Sequence, residues 1–516
     1  MKNVAVIDIG SNSIKLVLVR VRNDNSFKII YELKETVRLG KGMTEKPVLR
    51  EDRMKIALQT LKMFKNLCDA TDTKKIIAVA TAAVRNANNQ EEFLQRVKKE
   101  TDLSVRVLSG SEEGYFDYWG VVNSIEKDDG LIMDIGGGSV ELIWMENRQI
   151  KDSVSLPFGA LDLTQQFDLY DEADKDQIKD LEKYLEKAYK EVSWLSEVEE
   201  MDLIGVGGTI RNIAKIDKRK KDYPLDMLHY YRMEDDNVQD VYDLVKKKDL
   251  KGRKKISGLS KKRADIFIGA SAIIATLMNN YDINNMLISG KGIREGLIYK
   301  HLNDDDTPTE DVLDFSIQNV LNNFNVDIDH AQHVHKLTRK MFNQLKPLYE
   351  TDLEDFDGNI DNIVKTAALL HDCGRNINYY DHHEHSYYII LNSGINGLSH
   401  RELLITAYIA ASHRHTKYSL RKYNLNRANF KDIISKDGDD KEVIRKTGIL
   451  LEIAESLDRN LKGFIEDVNC EVKNNRVTIK VITRANEEDI ELEINDAMAA
   501  ADGFKKLYDK YLVITK

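Results

Sequence analysis

The chain repeats itself, and the repeat limits its fold more than any other feature. Shifted by 126 positions, Ile7-Asp8-Ile9-Gly10-Ser11-Asn12-Ser13-Ile14 falls on Met133-Asp134-Ile135-Gly136-Gly137-Gly138-Ser139-Val140, with Asp, Ile, Gly and Ser in register. Self-similarity at a fixed offset means that one structural unit is built twice. Each copy reads as an apolar strand ending in Asp, a tight Gly-containing turn, a second strand (Lys15 to Val21; Glu141 to Met145) and a third (Phe27 to Leu33; Gln149 to Leu156). Further strands are expected at Lys75 to Ala80 and Val105 to Leu108 in the first copy, and at Leu203 to Val206 in the second, alternating with helical segments. The expectation is a duplicated mixed α/β fold.

The repeated turn has a direct physical use. Two strands that meet at a Gly-rich turn point backbone N–H groups into one concavity, and short Ser and Asn side chains add donors without blocking phosphate oxygens. Ser11, Asn12 and Ser13 in one copy, and Gly136, Gly137, Gly138 and Ser139 in the other, are therefore candidate phosphate-binding residues. Two such turns facing each other would clamp one phosphate chain. The Asp leading each turn, Asp8 and Asp134, supplies what amides cannot, a carboxylate for a hard divalent cation bridging phosphate oxygens. A third turn, Gly205-Val206-Gly207-Gly208-Thr209, follows an apolar strand and opens a helical segment, where an anion is favoured. A fourth, Ser289-Gly290-Lys291-Gly292-Ile293-Arg294-Glu295-Gly296, precedes another helix-like run.

In this order the elements resemble the superfamily of actin, sugar kinases and heat-shock chaperone ATPases, with its duplicated ribonuclease H-like domains. Within it, six segments match the order and spacing of the Ppx/GppA family of exopolyphosphatases and guanosine pentaphosphatases. They are Asp8-Ile9-Gly10-Ser11-Asn12-Ser13, Ala80-Thr81-Ala82-Ala83-Val84-Arg85, Leu108-Ser109-Gly110-Ser111-Glu112-Glu113, Asp134-Ile135-Gly136-Gly137-Gly138-Ser139, Gly207-Gly208-Thr209 and Arg294-Glu295-Gly296. The resemblance implies that Glu113 is the catalytic base and that Asp134 and Glu141 serve the metal and the attacking water. It implies that Arg85 contacts phosphate together with the Gly turns, including Gly207, Gly208 and Thr209. Mg2+ or another divalent cation would sit on Asp8, Asp134 and Glu141. One departure concerns the substrate: the family usually follows its Glu-Glu pair with Ala-Arg, and this chain has Gly114-Tyr115. Phosphoanhydride hydrolysis needs a positioned water, one carboxylate base and charge neutralisation, so no Ser-His or Cys-His pair is required.

Histidine is confined to the second half. Ten of twelve histidines lie between His330 and His415, and none precedes His229. The cluster Asn303-Asp304-Asp305-Asp306-Thr307-Pro308-Thr309 reads as a linker between the halves. The expected domains are 1–126 and 127–302, the two actin-like lobes; 310–464, an all-α unit; and 465–516, a small α/β module. In that last module strands are expected at Val468 to Lys473 and Arg476 to Thr483, with a third near Ile490. Ala367-Ala368-Leu369-Leu370-His371-Asp372-Cys373-Gly374 resembles the HD phosphohydrolase domain. That resemblance implies a second divalent-metal site on His330, His371, Asp372 and Glu455, with His385 and His413 as candidates for a further ion. Glu455 stands where the HD family has Asp. Some Ppx/GppA members carry this domain as a non-catalytic support for a substrate channel, and that role stays open. His382, His383 and His400 read as surface or channel residues.

Composition narrows the setting. Three scattered cysteines, Cys68, Cys373 and Cys470, cannot make a disulfide framework, which suits a reducing cytosol. Asp8 interrupts what would be the core of a secretory peptide, and no apolar run nears the ~18 residues of a membrane span. A cytoplasmic protein with no membrane partner is expected. A net charge of −10 argues against general nucleic-acid binding. Yet residues 246–263 hold ten Lys or Arg and one acid, either a solvated face or a cationic track for a polyanion, and Lys218-Arg219-Lys220-Lys221 reads the same two ways. The expected activity is Mg-dependent, processive release of terminal orthophosphate from inorganic polyphosphate. The alternatives are the same chemistry on guanosine pentaphosphate, or a nucleotide phosphohydrolase in the HD-type domain. A homodimer is implied by the family alone.

Overall fold

The structure, a computed structural model, describes all residues except 44–45, 304–305, 350–352, 354–355, 357, 415–432, 435–438 and 485–488, and the side chain of residue 439. Asp304 and Asp305 of the expected linker thus lie outside the described residues. The chain divides into two compact units, 1–312 and 313–516. No helix among the described residues is long and apolar enough to cross a membrane.

The first unit contains two sheets built on one plan. Strands β1 (Lys2–Ile9), β2 (Ser13–Val21), β3 (Phe27–Thr36), β4 (Thr73–Ala80) and β5 (Val105–Val107) lie in the order β3-β2-β1-β4-β5. The second sheet comprises β6 (Gly130–Ile135), β7 (Val140–Glu146), β8 (Gln149–Leu156), β9 (Leu203–Val206), β10 (Arg232–Glu234) and β11 (Asn285–Ile288). Its run β8-β7-β6-β9-β11 repeats the first sheet, with β10 added at the edge. In both repeats three strands pair antiparallel and two continue parallel, while the added β10 pairs antiparallel with β11. This is the duplicated mixed α/β architecture expected above.

Register carries the repeat down to single residues. Asp8 faces Lys15 across β1 and β2, and Asp134 faces Glu141 across β6 and β7. Both turns close with the same bond, Gly10 N–H to Ser13 O at 3.1 Å and Gly136 N–H to Ser139 O at 3.0 Å. Strand β1 is buried on both faces, as its unbroken apolar run demands. One face packs on Leu61 and Phe64 of the helix Glu51–Ala70. The other packs on Phe116 of the helix Gly110–Val122 and on Leu297 and Ile298 of the helix Ile293–Leu302. Those two helices touch backbone to backbone: a Cβ on Gly120 would lie 2.5 Å from Gly292 O, and one on Gly296 would lie 1.9 Å from Phe116 O.

The second unit holds the helices Ile328–Leu345, Ile360–Leu370, His382–Asn392, His400–Ala411 and Asp439–Ser456. A sheet of β12 (Ile465–Lys473), β13 (Arg476–Thr483) and β14 (Tyr511–Thr515) packs beside them. Gln344 ties that sheet to the first of these helices, donating to Val468 O and accepting from Cys470 N–H. The strand expected near Ile490 is instead the helix Glu491–Met498, whose first turn carries Glu491 and Glu493 against the helix dipole. The third strand is β14, parallel to β13.

Candidate functional site

The two hairpin turns and the start of a third element line a cleft open to solvent. Asp8, Ser11, Asn12 and Ser13 line it from one sheet, and Asp134, Gly136, Gly137, Gly138 and Ser139 from the other. Gly207 and Gly208, which open the helix Gly207–Lys220, complete the cradle. Gly207 has φ +86°, and a Cβ there would lie 1.8 Å from Asp134 Oδ1, so only glycine lets the backbone come this close to the carboxylate. Thr209 is buried one residue further on.

Glu113 reaches the cleft from the first turn of the helix Gly110–Val122. Ser109 caps that helix, accepting from Glu112 N–H at 3.2 Å, while the Glu112 carboxylate accepts from Ser109 N–H at 2.8 Å. The first Glu of the pair is thus spent on the cap, and the second is left facing the site at 8% exposure. Arg85, at the end of the short helix Ala82–Arg85, ion-pairs with Glu113 and also donates to Leu108 O at 2.9 Å. Glu141 is buried beside them and accepts from Ser155 Oγ at 3.0 Å. The site residues expected from sequence are therefore brought together.

The carboxyls crowd one another. Burial lifts Glu113 to about 7, with Asp8 and Asp134 pushing the same way and Arg85 pulling down. Burial, then Glu113 and Asp134, hold Glu141 well above the usual carboxylate range. Asp134 is also raised, by burial against the pull of Lys15 and Arg211. Its Oδ1 is buried with no hydrogen-bond partner. Crowded, protonation-prone carboxyls around an unpartnered oxygen fit a hard divalent cation. Asp8 carries a counter-charge already, Lys15 Nζ lying 3.0 Å from its Oδ2.

Residues 5–305 match the Ppx/GppA phosphatase family, and residues 312–496 match Ppx/GppA phosphatase, domain III. The chain belongs to the Ppx/GppA phosphatase family. A guanosine-5'-triphosphate,3'-diphosphate pyrophosphatase of Pseudoalteromonas atlantica is 29% identical over 397 residues, 75% of this chain and 74% of that one. A bifunctional 3-dehydroquinate synthase/phosphatase of Fusobacterium nucleatum is 29% identical over 298 residues, 55% of this chain but only 44% of that longer protein. Among solved structures, an Aquifex aeolicus Ppx/GppA member is 29% identical, with TM-score 0.52 over 59% of this chain and 99% of its own. An exopolyphosphatase from Cytophaga hutchinsonii is 26% identical, with TM-score 0.56 over 60% of this chain and 100% of its own.

Sequence reasoning passed over three residues at the Ppx/GppA cleft, two lining it and one buried beside its carboxyls. Arg263, counted above within the basic run, lies inside the cleft and donates from Nη1 to Thr209 Oγ1 at 3.1 Å. Burial, with Arg211 nearby, lowers its pKa to about 10. Lys15 stands at the repeat position where the second copy has Glu141. Asp117, one turn after Glu113, is buried with Oδ1 unpartnered, and burial followed by Asp134, Glu141 and Glu113 lifts its pKa well up. Elsewhere the basic segments divide by role. Arg253 is wholly buried and donates to the carbonyls of Leu169, Tyr170, Asp171, Lys248 and Ala264. Lys218 is buried and donates to Leu225 O and Met227 O.

In the second unit the structure gathers His330, His371 and Asp372, and beside them His413. His385 and Glu455 are not in these groups. His382 shares Asp372 with His413, Asp458 accepts from His330 Nδ1 at 2.8 Å, and the buried Glu455 lies near enough to Asp372 and His330 for their charges to act on it. Glu455 also lies 3.4 Å from Arg459 Nη1. His382, His383 and His400 are buried, not surface residues, because the helices that carry them turn these rings inward.

Proposed function

We propose that this Ppx/GppA phosphatase releases orthophosphate from the end of inorganic polyphosphate, with Glu113 as general base. The observation that carries the reading is Glu113 itself: a buried carboxyl with pKa about 7, paired to Arg85 between two phosphate-cradling turns. A base poised near neutrality can take a proton and still be regenerated. Glu113 removes a proton from a water held near Glu141, the water oxygen bonds to the terminal phosphorus, and the bridging P–O bond breaks to leave a chain shorter by one phosphate. Arg85 and the amides of both turns carry the charge of the terminal phosphoryl, and Arg263 adds a cation from the Gly208 side. Asp8, Asp134 and Glu141 would hold Mg2+, which neutralises phosphate oxygens.

Polyphosphate is favoured by the exposed Lys247, Lys251, Lys254, Lys255, Lys261 and Lys262, since a long polyanion can use a track that a nucleotide cannot. A second reading is the 5'-phosphohydrolysis of guanosine pentaphosphate on the same residues, supported by the Pseudoalteromonas relative's name. The test is orthophosphate release from a chain-length series of polyphosphate and from guanosine pentaphosphate, with Mg2+ or a chelator, by wild type, Glu113→Gln and His371→Ala. Loss of release with Glu113→Gln and retention with His371→Ala is the expected result. Retention with Glu113→Gln and loss with His371→Ala would put the hydrolytic site in the second unit. Faster turnover of the nucleotide than of any polyphosphate would select the second reading.

A further inference from the structure

We propose that a cationic pocket at the far end of the helix Gly207–Lys220 binds a nucleoside triphosphate, with the base on an apolar floor and the phosphates among four cations. The pocket shares no residue with the phosphate cleft.

Three segments of the second lobe build it: the last turns of the helix Gly207–Lys220, the end of the helix Asp235–Lys246, and the chain from there to Ser257. Ile216 is buried and Leu244 and Ile256 are half-buried, so these three form the floor. Arg219, Lys220, Lys248 and Lys255 line it above them, and all but the half-buried Lys248 are exposed. No residue lining the pocket carries a carboxylate, in a chain whose net charge is −10. The acids on the adjoining segments are engaged otherwise. Asp249 caps the short helix Leu250–Arg253, accepting from Gly252 N–H at 2.6 Å, and Asp243 pairs with Lys246 at 2.9 Å. Asp240 meets Lys220 at 2.8 Å, but both side chains are exposed, and such a pair yields readily to a phosphate. Arg219, Lys248 and Lys255 have no ion pair among the described residues.

Lysines on a loose loop would lose their freedom at each binding event, which weakens binding. Here the loop is already held. Arg253, wholly buried, donates to Lys248 O on one side of the pocket segment and to Ala264 O beyond its other side. Ser260 N–H donates to Asn212 Oδ1 at 2.9 Å. Gly258, at φ +90°, lies so close to the helix Gly207–Lys220 that a Cβ there would be 2.5 Å from Lys215 O. Asn212 and Lys215 belong to the same helix as Arg219 and Lys220, so one frame positions the backbone that carries all four cations.

The make-up of the pocket selects the ligand class. Orthophosphate or a bare phosphate chain would meet the cations and leave the apolar floor in water, while a purely apolar ligand would leave four charges unanswered. A nucleoside triphosphate uses both, since the base covers Ile216, Leu244 and Ile256 and the phosphates reach the lysines. Arg219 suits either part, because a guanidinium stacks on a planar ring and also grips phosphate with two N–H groups. The helix separates this pocket from Gly207 and Gly208 of the cleft by about 20 Å, so the two are distinct sites.

The test is calorimetry on the full chain with the hydrolysis-resistant β,γ-imido analogue of ATP, in EDTA, so that the metal-free carboxyls of the cleft repel the phosphates. One equivalent is expected, with an affinity that falls as salt rises. Arg219→Glu combined with Lys255→Glu should abolish binding, whereas Arg263→Gln in the cleft should leave it unchanged. Tripolyphosphate, which has the charge but no base, should bind about tenfold more weakly than the nucleotide, and adenosine, which has the base but no charge, should also bind more weakly. No binding by wild type, binding unchanged in the double variant, binding lost in Arg263→Gln, or tripolyphosphate bound as tightly as the nucleotide each overturns the proposal. The two replaced side chains are exposed, and an unchanged melting temperature without ligand checks that the variant is folded. Should it misfold, the ranking of the three ligands on wild type still decides the matter.

Discussion

The ion pair between Arg85 and Glu113 sets the pH at which the proposed base works, and Arg85→Ala tests this. Glu113 acts when deprotonated, so kcat/KM should rise with pH through the native value of about 7. Burial and the neighbouring Asp8 and Asp134 raise that value, and Arg85 is the group that opposes them. Both side chains are mostly buried, at 22% and 11% exposure, so screening by water is weak. An opposite charge in contact lowers a carboxylate by about 1–3 units, equivalent to ~1.4–4 kcal/mol. Removing Arg85 should therefore move the acidic limb of the profile up by about that much. At neutral pH the deprotonated fraction falls from about a half to about a tenth for a one-unit shift, and to about a hundredth for two. The assay is kcat/KM for orthophosphate release between about pH 5 and about pH 10 for wild type, Arg85→Ala, Arg85→Lys and Glu113→Gln. Lost phosphate contact lowers the whole curve of Arg85→Ala, but only a changed base moves its limb, and Arg85→Lys should fall between. A limb at the same pH in Arg85→Ala and wild type would refute the reasoning, whatever the loss in rate.

Four further outcomes follow from the same geometry. Asp117 is raised in the folded state, so its native carboxyl costs stability as pH climbs above the ordinary carboxylate value of 3.8. Asp117→Asn keeps the shape, and should raise the melting temperature at pH 8 with the gain fading toward pH 4; an equal gain at both would count against the charge argument. Gly207→Ala puts a Cβ against Asp134 at φ +86°, costing roughly 1–3 kcal/mol in denaturant unfolding and abolishing phosphate release. Arg253→Met strips five carbonyls of their donor, at about 1–3 kcal/mol for each left dry, and should unfold far earlier than wild type. Lys254→Ala with Lys255→Ala should leave stability alone and raise KM for long polyphosphate more than for short chains.

What could be read from sequence was whatever the chain states locally and then repeats. The offset of 126 carries Asp8 onto Asp134 and Lys15 onto Glu141, and because strand pairing counts in single residues, that match placed both turns and their carboxylates correctly. The strands β1, β2, β6 and β7 were legible for the same reason. Arg263 was not, because in a run of ten cations nothing local separates the one that folds over Gly208 from those left in water, and Arg253 was hidden in the same way. The alternation Ile490, Leu492, Ile494 imitates a strand, yet the same residues serve a helix, and only the pairing of β13 with Tyr511–Thr515 shows that the sheet had no place for them.

The histidine cluster shows the limit most sharply. His371-Asp372 announced itself as a motif, but three residues along a helix is nearly a full turn, so His382 and His385 lie on nearly one face, and only the approach of His413 and Asp372 to the helix start selects His382. Likewise Asp458, rather than Glu455, meets His330, because the chain has already left its helix at Ser456 and bends back there. A motif fixes the chemistry on offer, while the partner atoms are set by where each helix ends.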